Sequence, residues 1–162
     1  MYYDEFETGF IGALFLVGDE KGLNHIGFQH DQHPVLLQPD WKRNPDFFSS
    51  VKSQLKEYFD GKRMVFDLPI APEGTPFQLK VWQALQLIPY GELISYKSIA
   101  QTIGNPKAVR AVGGANRKNP IPIIVPCHRV IGSDNSLTGY GGGLEIKKRL
   151  IDLERQTVSK AR

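Results

Sequence analysis

Cysteine is almost absent from this chain, which has one, Cys127, among 162 residues. A single cysteine cannot form an internal disulfide, so nothing in the composition indicates secretion, and we expect a cytoplasmic protein. Long apolar runs are also missing, and the acidic, aromatic start at residues 1–6 lacks the pattern of a signal peptide. We therefore expect no association with a membrane.

Metal ligands are similarly sparse. The first half holds three histidines, His25, His30 and His33, but neither a cysteine nor a carboxylate stands at a spacing that would complete a metal site. We expect these histidines to lie in loops and on the surface. The sequence predicts neither a metal nor a cofactor.

Charge is divided unevenly between the two halves. Residues 1–70 carry 7 lysines and arginines against 11 aspartates and glutamates, whereas residues 71–162 carry 13 against 6. The net charge of +3 hides this contrast. A basic second half favours contact with a polyanion, with the acidic first half as its support. Uneven surface charge without a function is the simpler alternative.

The patterns along the chain predict an α+β fold in two domains. A small N-terminal domain of strands and one helix occupies residues 1–70, and a mostly helical domain occupies residues 75–156, with the linker at 69–74. The elements predicted for the first domain are a strand at 10–17, a hairpin loop at 18–22, a strand at 23–28, a helix from Asn44-Pro45 to Gly61 and a strand at 64–68.

The second domain is predicted to contain a helix-turn-helix unit. Its first helix begins at Thr75-Pro76-Phe77-Gln78, which has the residues of an N-cap and capping box. Ser95 can then cap a short helix that Gly104 closes, and Asn105-Pro106 starts another at once. Two short helices joined by a tight glycine turn are typical of helix-turn-helix proteins, although many such hairpins bind nothing.

The second helix of this unit, predicted from Pro106 to Lys118, has one flat cationic face. An apolar stripe is formed by Ala108, Ala111, Val112 and Ala115, and the opposite face carries Lys107, Arg110, Gly114, Arg117 and Lys118. Gly113 and Gly114 each cost about 1 kcal/mol relative to alanine in mid-helix. Close approach of the helix backbone to a phosphate backbone would explain them, and a surface helix with a glycine kink is the alternative.

Cys127 lies in the segment Pro126-Cys127-His128-Arg129-Val130. Cationic neighbours favour the thiolate, which is the nucleophilic form, so this cysteine is a candidate nucleophile. A small buried hydrophobic residue is the alternative. Glu154, on the last predicted helix, could orient the histidine and complete a Cys-His-Glu relay. The glycines at 139–143 lack the Lys-Ser/Thr ending of a phosphate loop, but their backbone could line a pocket.

Residues 75–156 resemble the O6-alkylguanine-DNA alkyltransferases, also called methylated-DNA–protein-cysteine methyltransferases. The motifs that carry the resemblance are Ile94-Ser95-Tyr96, Gly104-Asn105-Pro106, Arg110-Ala111-Val112-Gly113-Gly114-Ala115, Asn119-Pro120, Ile124-Val125-Pro126-Cys127-His128-Arg129-Val130, Gly139-Tyr140 and Glu154. Residues 1–70 match only the looser pattern of the family's N-terminal half.

The resemblance implies an activity and a set of roles. Cys127 would accept the alkyl group of O6-alkylguanine in double-stranded DNA permanently, in a single turnover, with O4-alkylthymine as a further substrate. His128 would deprotonate the thiol through a water molecule, and Glu154 would hold the imidazole. The remaining roles implied are Tyr96 as hydrogen-bond donor to the base, Asn119 as a hinge, Arg110 as the residue replacing the flipped nucleotide, Ala111, Gly113, Gly114 and Arg117 as DNA contacts, and Val130, Tyr140 and Gly141 as pocket residues.

The resemblance further implies a monomer that needs no cofactor. Some relatives have serine where this chain has Gly141, and we expect the glycine to leave room for alkyl groups larger than methyl. Three other functions stay open at this stage: a module that binds alkylated DNA without accepting the alkyl group, a transcriptional regulator, and a cysteine hydrolase.

Overall fold

A computed structural model describes residues 1–31, 34–138 and 140–161. His33 and Gly139, both named in the sequence analysis, lie outside the described residues. The described residues form an N-terminal sheet with one helix and a C-terminal group of four helices with a two-stranded parallel ladder.

The N-terminal sheet has four strands in the order β3-β2-β1-β4. Their bounds are Tyr2–Glu7 for β1, Ala13–Asp19 for β2, Gly22–Phe28 for β3 and Lys42–Arg43 for β4. The predicted hairpin is confirmed, because β2 and β3 pair antiparallel around a tight turn. Strand β1 was not predicted, because half of its residues are acidic. One of these, Asp4, is buried and forms ion pairs with Arg43 and Lys52.

Helix α1 spans Ser49–Phe59, after a short 3₁₀ turn at Asp46–Phe48, and the chain reverses at Gly61 with φ +71°. This confirms the predicted helix. The strand predicted at 64–68 is wrong, since these residues, all described, form no strand. The reason lies in Gln54, whose side-chain amide donates to the carbonyl of Asp67 and accepts from its N–H, both at 2.9 Å. The side chain thus takes the place of a neighbouring strand.

The linker predicted at 69–74 is attached to the first domain rather than free. The N–H of Leu23 donates to the carbonyl of Pro69 at 2.9 Å, and the N–H of Ala71 donates to the carbonyl of Leu23 at 2.8 Å. The chain therefore leaves the sheet along the edge of β3.

Four helices build the C-terminal part: α2 at Pro76–Leu85, α3 at Tyr96–Thr102, α4 at Val109–Arg117 and α5 at Leu144–Lys160. The capping box of Thr75 and Gln78 and the cap by Ser95 are both formed. Helices α3 and α4 pack together around Gly104, which has φ +76°. The predicted helix-turn-helix unit is therefore present.

Two short parallel strands, β5 at Ile94–Ser95 and β6 at Val130–Ile131, join the start of α3 to the cysteine segment. An apolar core of described residues runs through both parts of the chain, with Leu55 and Tyr58 of α1 in the same cluster as Trp82, Ile99 and Leu150. No described helix combines the length and the apolar content that a membrane span requires.

Candidate active site and cationic helix

Cys127 opens a short 3₁₀ turn at Cys127–Arg129 and is 3% exposed. Two asparagines at the end of α4 hold the segment that carries it. Asn119 donates to the carbonyl of Val125 at 2.8 Å, and Asn116 donates to the carbonyl of Cys127 itself at 3.3 Å. The structure therefore brings Asn119 and the cysteine together, as the hinge prediction requires, and shows Asn116 as a partner that the sequence did not indicate.

The turn before the cysteine is strained. Ile123 has φ +77°, in the left-handed region that β-branched residues rarely adopt, although its side chain is fully buried. Such a conformation costs about 1–3 kcal/mol and persists only where the surroundings enforce it. Burial of Ile123 and the hydrogen bond from the N–H of Val125 to the carbonyl of Ile121 supply that enforcement. The turn that precedes the cysteine is therefore held in one conformation and fixes the position of Cys127.

Glu154 of α5 reaches His128, as predicted. Its Oε2 lies 2.5 Å from Nε2 of His128, and its two carboxylate oxygens accept from Nε and Nη2 of Arg129 at 2.8 and 3.2 Å. Tyr58 donates to Oε2 at 2.6 Å, and the N–H of Gly91 donates to Oε1 at 3.0 Å. Burial alone would raise the pKa of Glu154, but hydrogen bonds and charge from His128 and Arg129 hold it well below its usual value. The group is therefore a carboxylate.

The contact with Glu154 assigns the protonation of His128. Burial lowers the pKa of His128, against the opposing effect of Glu154, so the ring is neutral at pH 7. Its Nε2 faces an acceptor and carries the proton, which leaves Nδ1 as the basic nitrogen. Nδ1 is buried and has no hydrogen-bond partner among the described residues. The ring therefore presents a free base on the side away from Glu154.

The prediction that cationic neighbours favour the thiolate form of Cys127 is wrong for this structure. Burial raises the pKa of Cys127 to about 11, and the opposing effects of Asn119 and Lys147 are smaller. The adjacent Arg129 is used elsewhere, because its guanidinium binds Glu154 and donates to the carbonyl of Ile88. At pH 7 the sulfur is a thiol, so its proton must be removed before it attacks carbon.

Lys147 of α5 is a buried residue that sequence reasoning missed. Its Nζ donates to the carbonyls of Val130 at 2.6 Å and Thr138 at 2.7 Å, and lies 5.9 Å from the ring centre of Tyr96. Burial lowers the pKa of Lys147 to about 8, with the Cys127 site opposing that shift. Its helical spacing from the buried Leu150 and Glu154 is the signal that could have found it.

Tyr96 and Val130 do not line the cavity at the cysteine. The hydroxyl of Tyr96 donates to the carbonyl of Thr138 at 3.0 Å, and Val130 is fully buried in β6. Their predicted contacts with a base stay predictions.

A cavity of about 300 Å³ opens onto Cys127 between the two parts of the chain. From the C-terminal part it is lined by Arg117, Lys118, Asn119, Pro120, Pro122, Cys127, Tyr140 and Gly141. The N-terminal part contributes His25, Ile26, Phe28 and Asp31, a wall that was not predicted. His25 corrects the expectation of loop and surface histidines, because it is half-buried in β3, whereas His30 is exposed. Within the described residues, no three potential ligands gather as a metal site would require.

Helix α4 presents the flat face that its sequence predicted. Arg110, Gly113, Gly114 and Arg117 follow helical spacing along one side, and both arginines are exposed. Apart from the backbone of the helix itself and the adjacent residues, no described atom lies within 4 Å of the position that a Cβ on either glycine would take. Internal packing therefore does not require these glycines. Ala111 is also exposed, which removes it from the predicted apolar stripe. The buried side is centred on Val112, Ala115 and Asn116 because Asn116 turns toward the cysteine segment.

Comparison with known proteins identifies the family on both parts of the chain. The family model described as 6-O-methylguanine DNA methyltransferase, DNA binding domain, matches residues 76–156, and the model for that family's ribonuclease-like domain matches residues 1–72. A methylated-DNA–protein-cysteine methyltransferase of Methanosarcina barkeri is 53% identical over 158 residues, covering 98% of this chain and 99% of the relative. A constitutive one of Bacillus subtilis is 46% identical, covering 95% of each.

A solved structure agrees with these relatives. The crystal structure of Mycobacterium tuberculosis OGT in complex with DNA matches with a TM-score of 0.90 and 44% identity, over 97% of this chain and 94% of that one. The similarity extends over both parts of the chain, including the N-terminal sheet. This chain therefore belongs to the 6-O-methylguanine DNA methyltransferase family.

Proposed function

We propose that this protein repairs O6-alkylguanine in double-stranded DNA by transferring the alkyl group irreversibly to Cys127, once per molecule. The observation that carries the proposal is the hydrogen bond of 2.5 Å between Glu154 and His128, beside a buried thiol that lines a cavity. The arrangement supplies a nucleophile, a base with a free nitrogen and a carboxylate that orients the base.

The raised pKa of Cys127 makes the base necessary. His128 takes the thiol proton through a water molecule at Nδ1, and Glu154 and the resulting imidazolium stabilise each other. The sulfur then forms a bond to the alkyl carbon as the bond from that carbon to O6 breaks, and the electron pair stays on guanine. Guanine takes up one proton, which balances the proton lost by the thiol. Tyr96, on exchanging its Thr138 partner for the base, would stabilise the departing guanine.

Helix α4 fits a duplex from the minor-groove side. The open space beside its two glycines lets the helix backbone approach closely, and the flanking arginines, which are exposed, neutralise phosphates. The target base must leave the stack to meet a buried thiol, and Arg110, which is exposed on this face, would fill the space that it leaves. Between the two arginines this face carries only Gly113 and Gly114, whereas reading a promoter in the major groove would need a row of long polar side chains, which disfavours a transcriptional regulator.

The other two alternatives are also less well supported. A module that only recognises alkylated DNA has no use for a cysteine, yet Cys127 lies in the cavity with His128 and Glu154 arranged beside it. A cysteine hydrolase would leave the flat cationic face of α4 without a function.

A stoichiometric transfer experiment tests the proposal. The protein is incubated with an oligonucleotide duplex containing O6-methylguanine, and the products are mapped by mass spectrometry. We expect the mass of one methylene added at Cys127, at most once per protein molecule, and none in the Cys127→Ser variant. Repeated turnover, or an intact lesion after incubation with excess protein, would rule the mechanism out.

A further inference from the structure

The carboxylate of Glu154 joins the N-terminal part of the chain to the base of the proposed reaction. It accepts hydrogen bonds from His128, Arg129 and Gly91 of the C-terminal part and from Tyr58 of α1. Within the described residues, Tyr58 is the donor that the N-terminal part supplies to this carboxylate. The contact with His128 is used in the reaction described above, whereas the contact with Tyr58 is not.

Tyr58 and His128 share one oxygen of Glu154. The hydroxyl of Tyr58 lies 2.6 Å from Oε2 and Nε2 of His128 lies 2.5 Å from the same atom, whereas Nη2 of Arg129 is farther away, at 3.2 Å. A carboxylate oxygen has two lone pairs, so the two short bonds occupy both of them. Because both donors draw on the same negative charge, the bond from Tyr58 weakens the hold of this oxygen on His128.

The Tyr58 hydroxyl is a permanent donor at this position. The side chain is fully buried, and the ring centres of Phe66 and Tyr90 lie 5.4 and 6.1 Å from its own. Burial and the adjacent charge of Glu154 raise the pKa of Tyr58 well above its ordinary value. The phenol therefore keeps its proton at neutral pH and can only donate to the carboxylate.

Titratable and charged groups from several elements surround the pair of His128 and Glu154. They come from α5, from the turn that carries the cysteine, from α1, from the segment between α2 and β5 and from the loop before α5, and are Glu154, Lys147, Cys127, Arg129, Tyr58, Tyr90 and Tyr140. Of these groups only Glu154 is negative at pH 7, since the thiol and the phenols keep their protons. The strength with which Glu154 holds His128 therefore decides how readily the ring takes up a second proton.

We propose that Tyr58 is a positioning residue for the repair reaction, which acts by limiting how strongly Glu154 stabilises the imidazolium of His128 and so keeps this base neutral at pH 7. Without the Tyr58 hydroxyl, the full charge of Oε2 would face His128. A larger fraction of the rings would then carry two protons and be unable to accept one from the thiol. The inference rests on the proposed function and gives the N-terminal part of the chain a role in the reaction itself.

The pH dependence of repair in the Tyr58→Phe variant tests this inference. Single-turnover rates are measured by mass spectrometry with a duplex containing O6-methylguanine and a saturating excess of protein. In the wild-type protein the rate should fall below the pH at which His128 becomes protonated. In the variant this inflection should move upward by about half a unit to one unit, so that the rate falls at acidic pH and is largely retained at alkaline pH.

Val51→Ala, on the same helix, is the matched control. Val51 is buried in α1, and its side chain has no polar atom that could bond to Glu154. This variant should lose stability, as Tyr58→Phe does, but keep the inflection of the wild-type protein. Circular dichroism at each pH shows whether a protein is folded. If Tyr58→Phe is unfolded at pH 7, Tyr58→Met takes its place, and loss of folding in both would overturn the inference.

NMR of ¹⁵N-labelled histidine measures the same property without the reaction. The signals of His128 are assigned through the His128→Gln variant, and the pH at which half of the rings are protonated should be higher in Tyr58→Phe than in the wild-type protein. An inflection and a titration that stay in place or move downward would overturn the inference, and so would an equal upward shift in Val51→Ala. If the duplex is repaired at no pH, the proposed function fails, whereas the titration of His128 still decides whether Tyr58 controls it.

Discussion

The protonation state of Cys127 is the feature that most separates the folded site from its sequence. The residues next to it in sequence are a histidine and an arginine, which predict an activated thiolate. In the fold, Arg129 turns away to Glu154, the thiol is buried, and its pKa rises to about 11. The contact between Glu154 and His128 could be predicted from the sequence, and the role of Cys127 as the nucleophile stays a prediction. The sign of the pKa shift could not be predicted, because desolvation depends on the whole surrounding structure.

The reactivity of the free protein toward iodoacetamide tests that sign. Because the pKa of Cys127 lies above the ordinary value of 9.0, the thiolate fraction at neutral pH is about a hundredfold below that of an ordinary cysteine. The rate of alkylation should therefore keep rising, by up to about tenfold per pH unit, from about pH 7 to about pH 10. N-acetylcysteine, the control, should level off near its own pKa. A plateau for the protein at about pH 8 would show that the thiol is not shifted upward.

At the scale of the element, the two glycines in the interior of helix α4 lower its stability as a helix and give it a smooth surface. Gly113 and Gly114 lie in its interior, and no described atom is close enough to explain the missing side chains. The periodicity of its sequence predicted the cationic face correctly. The prediction that Ala111 belongs to the apolar stripe was wrong, because the contact of Asn116 with the cysteine segment fixes how the helix is rotated about its own axis. A contact between an amide and a carbonyl 11 residues away leaves no mark in the apolar pattern.

The variant Gly114→Leu should separate stability from repair. Leucine at this position meets open space and has better helix propensity, so the free energy of unfolding should rise by about 0.5–1 kcal/mol. The same side chain would hold the helix away from the duplex, so the ratio of the alkylation rate with duplex DNA to that with free O6-benzylguanine should fall by about tenfold, or about 1.4 kcal/mol. Urea unfolding and mass spectrometry give the two values.

An exposed leucine elsewhere provides the control for this experiment. Ser159→Leu, on the exposed side of α5, should leave the ratio of the two rates unchanged. If Gly114→Leu gains stability and keeps the ratio as well, α4 does not approach the duplex through its glycines.

At the scale of the whole molecule, the two parts of the chain meet at the candidate active site. Tyr58 of α1 donates to Glu154, 96 residues away, and β3 walls the cavity at Cys127. Local signals predicted the capping box, the hairpin and the helix-turn-helix unit, because a few neighbouring residues determine each of them. The contacts between the two parts of the chain could not be predicted, since neither Tyr58 nor His25 belongs to a motif. The acidic half was expected only to support the basic one.

The variant Tyr58→Phe tests the hydrogen bond between Tyr58 and Glu154, which joins the two parts of the chain. The change removes one buried hydrogen bond to a carboxylate and keeps the ring, so the free energy of unfolding should fall by about 1.5–3 kcal/mol. Urea denaturation at pH 7 measures the difference. Tyr3→Phe is the matched control, because the structure gives the Tyr3 hydroxyl no hydrogen bond within the described part of the chain. Equal losses in the two variants would mean that the Tyr58 hydroxyl contributes nothing specific.

The position of Glu154 in the chain also determines when, during protein synthesis, the site around Cys127 can be completed. The ribosome makes Cys127 and His128 first and Glu154 26 residues after the histidine. A nascent chain that has just exposed its cysteine has no carboxylate to orient the imidazole and no α5 to pack against the cysteine segment, so that thiol behaves as an ordinary solvated one. Competence for repair is therefore acquired late in synthesis, when α5 docks, and a protein that can react only once becomes reactive as its fold is completed.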